Sequence, residues 1–391
     1  YKIKRDLIDY EKEVLENSLS FSHENDDLFV GLKASLFEDL TETNKNDEYE
    51  YILPDIILDK NLFSSNKFGY ADLQTNLVVH NYETNKLTKF FINDIDWKHK
   101  EFSFSNGLIG RFLGKLRNVN YEAKNTEIFK DNTTNELFGA IGYLSKMDLY
   151  KDSASGLKQL LSPKMLIRYA PGSMRKETAK TRLNSTNAFK LDRLNTNKNL
   201  GNGLSTTLGF DYEIKTPTKK LDFSIAQIIN EQENKHMPSS SSLDQRFSDV
   251  VGSSKLDLNK NIALNHNFAL DQNFEQLNYN ELGANLNFDP IKFNFSYLEE
   301  KEHIGNQEYF KGKVDFSRNK YGLFSAETKR NLITNSAEYY DLSYEYSNDC
   351  LRAGLVYRRE FYNDSELEPE DTLMFKITLI PFGDINTPSF N

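Results

Sequence analysis

The sequence predicts an all-β chain folded as a large antiparallel transmembrane β-barrel. Three observations predict it: apolar residues at every second position, turn formers between those runs, and no apolar stretch long enough for a spanning helix. The alternation is clearest over 204–215. Leu204, Thr206, Leu208, Phe210, Tyr212 and Ile214 form one face, and Ser205, Thr207, Gly209, Asp211, Glu213 and Lys215 form the other. One face suits hydrocarbon and the other water.

The same period recurs along the chain. It is found at Leu28/Val30/Leu32/Ala34/Leu36, Leu73/Thr75/Leu77/Val79, Leu221/Phe223/Ile225 and Ile262/Leu264/Phe268/Leu270. Further copies are Leu282/Ala284/Leu286/Phe288, Ile291/Phe293/Phe295/Tyr297, Tyr340/Leu342/Tyr344/Tyr346, Leu351/Ala353/Leu355/Tyr357 and Leu373/Phe375/Ile377/Leu379. Turn formers separate them: Asn-Lys-Asn at 259–261, Asp289-Pro290, the segment 317–320, and Ser-Asn-Asp at 347–349. Antiparallel neighbours joined by short turns follow. The polar stretches 172–186, 232–247 and 363–371 read as extended loops, and 1–391 as a single domain.

The absence of a helical span rests on length. The longest apolar run is Leu137 to Leu144, against the roughly 18 residues that a spanning helix needs. Several alternating runs, by contrast, reach the roughly nine to eleven residues with which a tilted strand crosses a bilayer. A soluble sandwich would satisfy the alternation with shorter strands. A barrel also accounts for the low mean hydropathy, because every second residue lines a wet lumen. At about 20 residues per strand and turn, the chain supplies on the order of 20 strands, enough for a lumen too wide for side chains to fill. Tyr and Phe at strand ends suit the membrane interfaces.

Composition narrows the function. The 391 residues carry a net charge of −10 and no long Lys/Arg block, which excludes nucleic acid as a partner. The single cysteine, Cys350, excludes a disulfide scaffold and a thiolate metal cluster. There is no Gly-rich phosphate loop with Lys-Ser/Thr, so no energy source or nucleotide cofactor is encoded.

Several segments, taken in order, resemble the C-terminal barrel domain of the lipopolysaccharide-assembly family LptD, also called the organic solvent tolerance family. They are Leu160 to Pro171, Asn187 to Gly201 with the Gly209 strand after it, Ser248-Asp249-Val-Val-Gly252, Asp349-Cys350, and Asp371 to Gly383. Pro54, Trp97 and Gly107 extend the likeness toward the N-terminus. The resemblance implies an outer-membrane translocon of a Gram-negative bacterium, which inserts lipopolysaccharide into the outer leaflet through a polar lumen and a lateral gate. It also implies an LptE-like plug lipoprotein, an LptA-like periplasmic bridge docking on an N-terminal domain that precedes the barrel, and folding by the barrel-assembly machinery. Because nothing ahead of the barrel pattern matches that N-terminal domain, the chain reads as a fragment lacking the first strands. The family's late motif is a Cys pair joined to the N-terminal region. Here Leu351 follows Cys350, so at most one such cross-link is expected.

The last strand, 372–380, is expected to be half of the gate. Leu373, Phe375, Ile377 and Leu379 would face lipid, and Lys376 and Thr378 the lumen. Pro381 lacks an N–H and either weakens pairing at the gate edge or simply ends the strand. No catalytic or metal-binding constellation is expected. The six histidines are scattered, His266 lies on an apolar face, and Ser239–Ser242 near His236 reads as a flexible loop. Glu299, Glu300 and Glu302, and the acidic run 364–371, read as solvated loops or as divalent-cation sites. The competing functions are a general porin or substrate-specific channel, and a soluble surface adhesin.

Overall fold

The computed structural model describes residues 14–39, 48–83, 85–153, 156–178, 180–239, 242–301, 305–318, 322–348, 351–361 and 370–379. The strands are β1 (Val14–Asn25), β2 (Leu28–Asp39), β3 (Tyr49–Ser65), β4 (Gly69–Tyr82), β5 (Lys86–Lys98), β6 (Phe102–Ser103) and β7 (Leu108–Lys124). They continue as β8 (Thr134–Met147), β9 (Leu149–Asp152), β10 (Lys158–Ala170), β11 (Gly203–Lys215), β12 (Lys220–Asn230), β13 (Val250–Asn259) and β14 (Ile262–Leu270). The last are β15 (Leu277–Phe288), β16 (Ile291–Glu300), β17 (Gln307–Arg318), β18 (Gly322–Asn331), β19 (Ser336–Ser347), β20 (Leu351–Glu360) and β21 (Glu370–Leu379). A short 3-10 helix, Asn187–Phe189, lies between β10 and β11. Among the described residues no helix is long and apolar enough to cross a membrane.

All pairings are antiparallel, and each long strand pairs with the next one along the chain. The meander then continues without a crossover to β21. The two short strands β6 and β9 only extend the hairpins they belong to. Among the described residues β1 and β21 each have a single partner, so they are the two edges of the sheet.

Register carries the alternation across the sheet. Leu208 is opposite Met165 on β10, Phe210 is opposite Ile225 on β12, and the Phe210 and Phe223 rings lie tilted 5.9 Å apart. The apolar positions therefore align into one face, and they stay exposed: Leu208 is 46% accessible and Phe295 43%. The opposite face is polar and in part covered. We call the covered face inward, because the segments 171–202 and 231–249 pack on it.

Candidate functional site

The expected long loops 172–186 and 232–247 lie within those two segments, and much of what is described of them is packed against the wall rather than free in solvent. Leu183, Ala188, Leu191, Leu200 and Leu243 are all buried, and so are Ser242, Ser248 and Asp249. Their sequences are polar, yet they carry a Leu or Ala every few residues, enough to seat them on the wall. One cluster packs Leu191 and Leu200 against Phe90, Ile92, Val119 and Tyr121 on β5 and β7. A second packs Leu183, Ala188 and Leu243 against Ala226, Ile228, Val251, Tyr279 and Leu298. Glycines open room for this contact. A Cβ at Gly142 would come within 2.7 Å of the Leu191 side chain, and one at Gly209 within 3.0 Å of the Phe189 ring. A lumen too wide for side chains to fill is thus filled locally by main chain.

Charge fixes the packing. Arg117 on β7 donates to both carboxylate oxygens of Asp94 on β5, at 2.6 and 2.5 Å. It also reaches Asp192 at 2.8 Å and the Thr196 and Asn199 carbonyls at 3.1 and 2.6 Å. Lys115 bridges Asp94 and Asp96 at 3.3 and 2.8 Å. Arg175 pairs with Glu136 at 2.5 Å, and the Asn199 amide donates to the Arg175 carbonyl at 2.9 Å. On the far side Arg182 pairs with the fully buried Glu300 at 2.7 Å and lies 4.2 Å over the Tyr279 ring. Burial raises the Asp192 pKa, against the opposing pull of Arg117. Burial likewise lowers Lys198, whose ammonium sits 4.2 Å over Phe90.

Next to Phe189–Asp192 the wall borders an open cavity of about 790 Å³, lined by β1–β5, β7 and β8 and edged by Glu24, Asp59, Asp72, Lys60 and Arg111. From β17 to β20 the inward residues form a ladder of charge pairs: Lys311–Glu327 at 2.7 Å, Lys329–Glu338 at 2.6 Å and Arg358–Asp341 at 2.6 Å. Such a surface holds water and polar groups and rejects acyl chains.

On the outward face an aromatic cluster gathers at the end with short turns. Phe112 lies 5.2 Å from Tyr143 and 5.7 Å from Phe102, Trp97 is 5.7 Å from His99, and the Trp97 indole donates to the Phe68 carbonyl at 2.9 Å. Amphipathic rings in this arrangement anchor a wall at a membrane interface.

The expected gate residues lie on β21, opposite β20. Phe375 pairs with Leu355 and Ile377 with Ala353, and Lys376, Thr378 and Leu379 are in register with Gly354, Arg352 and Leu351. Leu373, Phe375 and Ile377 are 67, 64 and 53% accessible, so the outward stripe reaches the sheet edge. The side chains of Lys376, Thr378 and Leu379, together with Pro381 and Cys350, lie outside the described residues. So do Glu302 and 362–369 of the acidic runs.

Two further readings change. Glu300 is no solvated loop carboxylate: it is enclosed, held by Arg182 and by Gln307 at 2.7 Å. Glu299 is engaged by Lys301 at 2.6 Å. Among the described residues no group of three His, Cys, Asp or Glu side chains is set to hold a metal ion. His266 stays on the outward face, 3.0 Å from the Asn280 amide oxygen. Reading the sequence missed Arg117, Asp94, Asp192, Arg168 and Arg193. The available signal was a charge at an inward strand position facing a segment that is itself rich in Arg, Asp and Leu.

A sheet of 21 antiparallel strands, apolar outward and charged inward with folded-in loops, defines a membrane-spanning β-barrel wall. The chain belongs to the LptD family, LPS transport system D, whose model matches residues 7–350. It is an outer-membrane protein of a Gram-negative bacterium, in a family that transports lipopolysaccharide.

No curated protein matches the sequence. Among solved structures the chain is similar to the siderophore receptor PirA from Acinetobacter baumannii, at 9% identity and a TM-score of 0.48, covering 94% of this chain and 71% of that one. It is also similar to the outer membrane transporter YddB from Escherichia coli, at 10% identity and a TM-score of 0.47, covering 93% and 68%. A Rhodopseudomonas blastica porin variant is similar at 10% identity and a TM-score of 0.28, covering 74% and 89%.

Proposed function

We propose that this wall is the barrel of a translocon that inserts lipopolysaccharide into the outer leaflet of the outer membrane. The cargo joins a large hydrated sugar part to acyl chains, so it needs a wet route and a greasy one side by side. The observation that carries the reading is the edge strand β21. Its outward Leu373, Phe375 and Ile377 are exposed, and only its β20 side is paired among the described residues. Sugars travel along the charged inward face while the tails leave sideways past that edge. Opening there breaks few hydrogen bonds, whereas unpaired backbone elsewhere in lipid costs several kcal/mol per group. Phe375, Lys376, Ile377, Thr378 and Leu379 form the gate strand, with Pro381 at its end.

Loop length supports an orientation. Barrels of this class carry short periplasmic turns and longer outer loops. The end bearing 171–202 and 231–249 is then extracellular, and the end bearing the 26–27, 260–261 and 289–290 turns is periplasmic. An LptE-like lipoprotein occupies lumen left open by the folded-in loops. An LptA-like bridge delivers the cargo from the periplasm, and the barrel-assembly machinery inserts the wall. Cys350 is the candidate for a disulfide to an N-terminal region of the protein.

The test is a photo-reactive amino acid at Phe375 or Ile377, with Leu264 at an outward mid-wall position as the control. Lipopolysaccharide is expected to cross-link at the two β21 positions and not at the control. Equal labelling at all three, or labelling at none, overturns the gate. A porin is separated by conductance in a planar bilayer. A plugged translocon passes little current, and a high steady conductance overturns the translocon reading.

A further inference from the structure

Beside the Arg117 network lie two arginines of a different kind. Arg168 on β10 and Arg193 in the 171–202 segment are only 4 and 6% accessible, and their side-chain hydrogen bonds among the described residues go to carbonyls and hydroxyls. Arg168 donates from Nε to the Leu191 carbonyl at 2.7 Å and from Nη2 to the Gly201 carbonyl. Arg193 donates to the Ser205 and Thr207 hydroxyls at 3.0 Å each, and its Nε is buried with no acceptor. The Thr207 hydroxyl donates to the Ala188 carbonyl at 2.9 Å, so it is held with its lone pairs toward the guanidinium.

The nearby carboxylates are already engaged. Asp94, Asp96 and Asp192 serve Arg117 and Lys115; the Asp192 charge also reaches Arg168, whereas the hydrogen-bond partners of Arg193 are neutral hydroxyls. Two adjacent buried cations that share part of one carboxylate are costly, since an under-compensated buried charge forfeits its hydration. Burial first, and then the Arg168 charge, push the Arg193 guanidinium well below its ordinary pKa. Both side chains line one cavity of about 250 Å³, between the 171–202 and 231–249 segments. Asn202, Asn230 and Asn234 add amides to its lining, and the only carboxylates there, Glu231 and Glu233, are exposed.

We propose that this cavity is an anion site in which Arg168 and Arg193 together hold a phosphate group. A phosphate carries up to two negative charges and presents oxygens to two guanidiniums at once, which matches the pair better than a single carboxylate does. The group belongs either to a lipid headgroup or to free phosphate. Filled, the site ties the two folded-in segments to each other and to β10 and β11. The inference stands apart from the gate, because it concerns what holds the loops and not where acyl chains leave.

The test uses the full chain folded in detergent micelles, with thermal unfolding at constant ionic strength as the readout. Inorganic phosphate, or mixed micelles containing phosphatidic acid, is expected to raise the unfolding temperature, where chloride does not. A response to inorganic phosphate marks the free ion as a sufficient ligand, and a response to phosphatidic acid alone assigns the headgroup. R168Q and R193Q are expected to keep heat-modifiable migration and to weaken the response at least tenfold. If either fails to fold, N202D sets a carboxylate at the cavity and is expected to abolish the response with both arginines in place. No response to either probe, or one that R193Q or N202D leaves unchanged, overturns the proposal.

Discussion

Arg117 on β7 and Asp192 in the segment after β10 meet at 2.8 Å on the inward face, 3 and 21% accessible at their side chains. The contact ties a loop to the barrel wall. Arg117 is held from the other side by Asp94, so the wall itself orients the guanidinium toward the loop.

Removing Arg117 therefore leaves Asp192 without its ion-pair partner and Asp94 with Lys115 alone. R117M is expected to destabilise the folded barrel by about 3–5 kcal/mol, the range for breaking one side of a buried ion pair. D192N, which leaves Arg117 with Asp94, is expected to cost less, about 1.5–3 kcal/mol, the scale of a charged hydrogen bond lost. Urea unfolding in lipid vesicles measures both. Protease cleavage within 171–202 is expected to rise in each variant, and equal losses for the two would contradict the assigned order.

Gly209 sets a second dependence. A Cβ there would come within 2.1 Å of the Ile225 carbonyl oxygen and 3.0 Å of the Phe189 ring, which also takes the Lys164 ammonium at 4.6 Å. G209V is expected to abolish heat-modifiable folded barrel. F189A keeps the wall and loosens only the loop. Recovery of folded G209V at the parental yield would show that the close approach is dispensable.

The two faces are distinguished by a pair of neighbours on β16. F295R places a cation on the outward face and is expected to cost about 2–4 kcal/mol, as for Arg at the bilayer midplane. N294R, one residue away on the inward face, is expected to fall within about 0.5 kcal/mol of the parent, the spread for surface changes. Refolding into vesicles reads the difference, and the reverse order would invert the faces.

Asp271, between β14 and β15, gives a pH dependence. Its pKa is lowered by backbone N–H donors, first Gln276 at 2.8 Å and then Glu275 at 2.7 Å and Asn273 at 3.2 Å. A carboxylate with a depressed folded pKa stabilises its turn above its ordinary value, and that stabilisation is lost as pH falls through the lower folded value. Amide shifts of Asn273, Glu275 and Gln276 in micelles are expected to hold constant from neutral pH to about pH 4 and to move together only below the ordinary 3.8. D271A is expected to show the low-pH shifts at every pH.

Much of the wall was legible residue by residue. The run Leu204 to Ile214 placed its outward face correctly because strand side chains alternate by geometry, whatever the strand pairs with. Turn formers at 259–261 and 289–290 marked real hairpins for the same local reason. The polar composition of 172–186 and 232–247 marks them as loops but does not show that the segments containing them fold onto the wall. Their anchors, Leu183, Leu191, Leu200 and Leu243, follow no period and gain a partner only from strands far away in the chain.

The sequence by itself determined a two-faced antiparallel wall and, through its ordered signatures, the LptD family. The tertiary structure alone decided what fills the inward side: that Arg117 faces Asp192, that Glu300 is enclosed by Arg182, and that Arg168 and Arg193 share a cavity. The reason is range. Alternation is a property of neighbouring residues, whereas a charge on the inner wall acquires its partner only when the sheet curves and brings distant segments within a few ångströms.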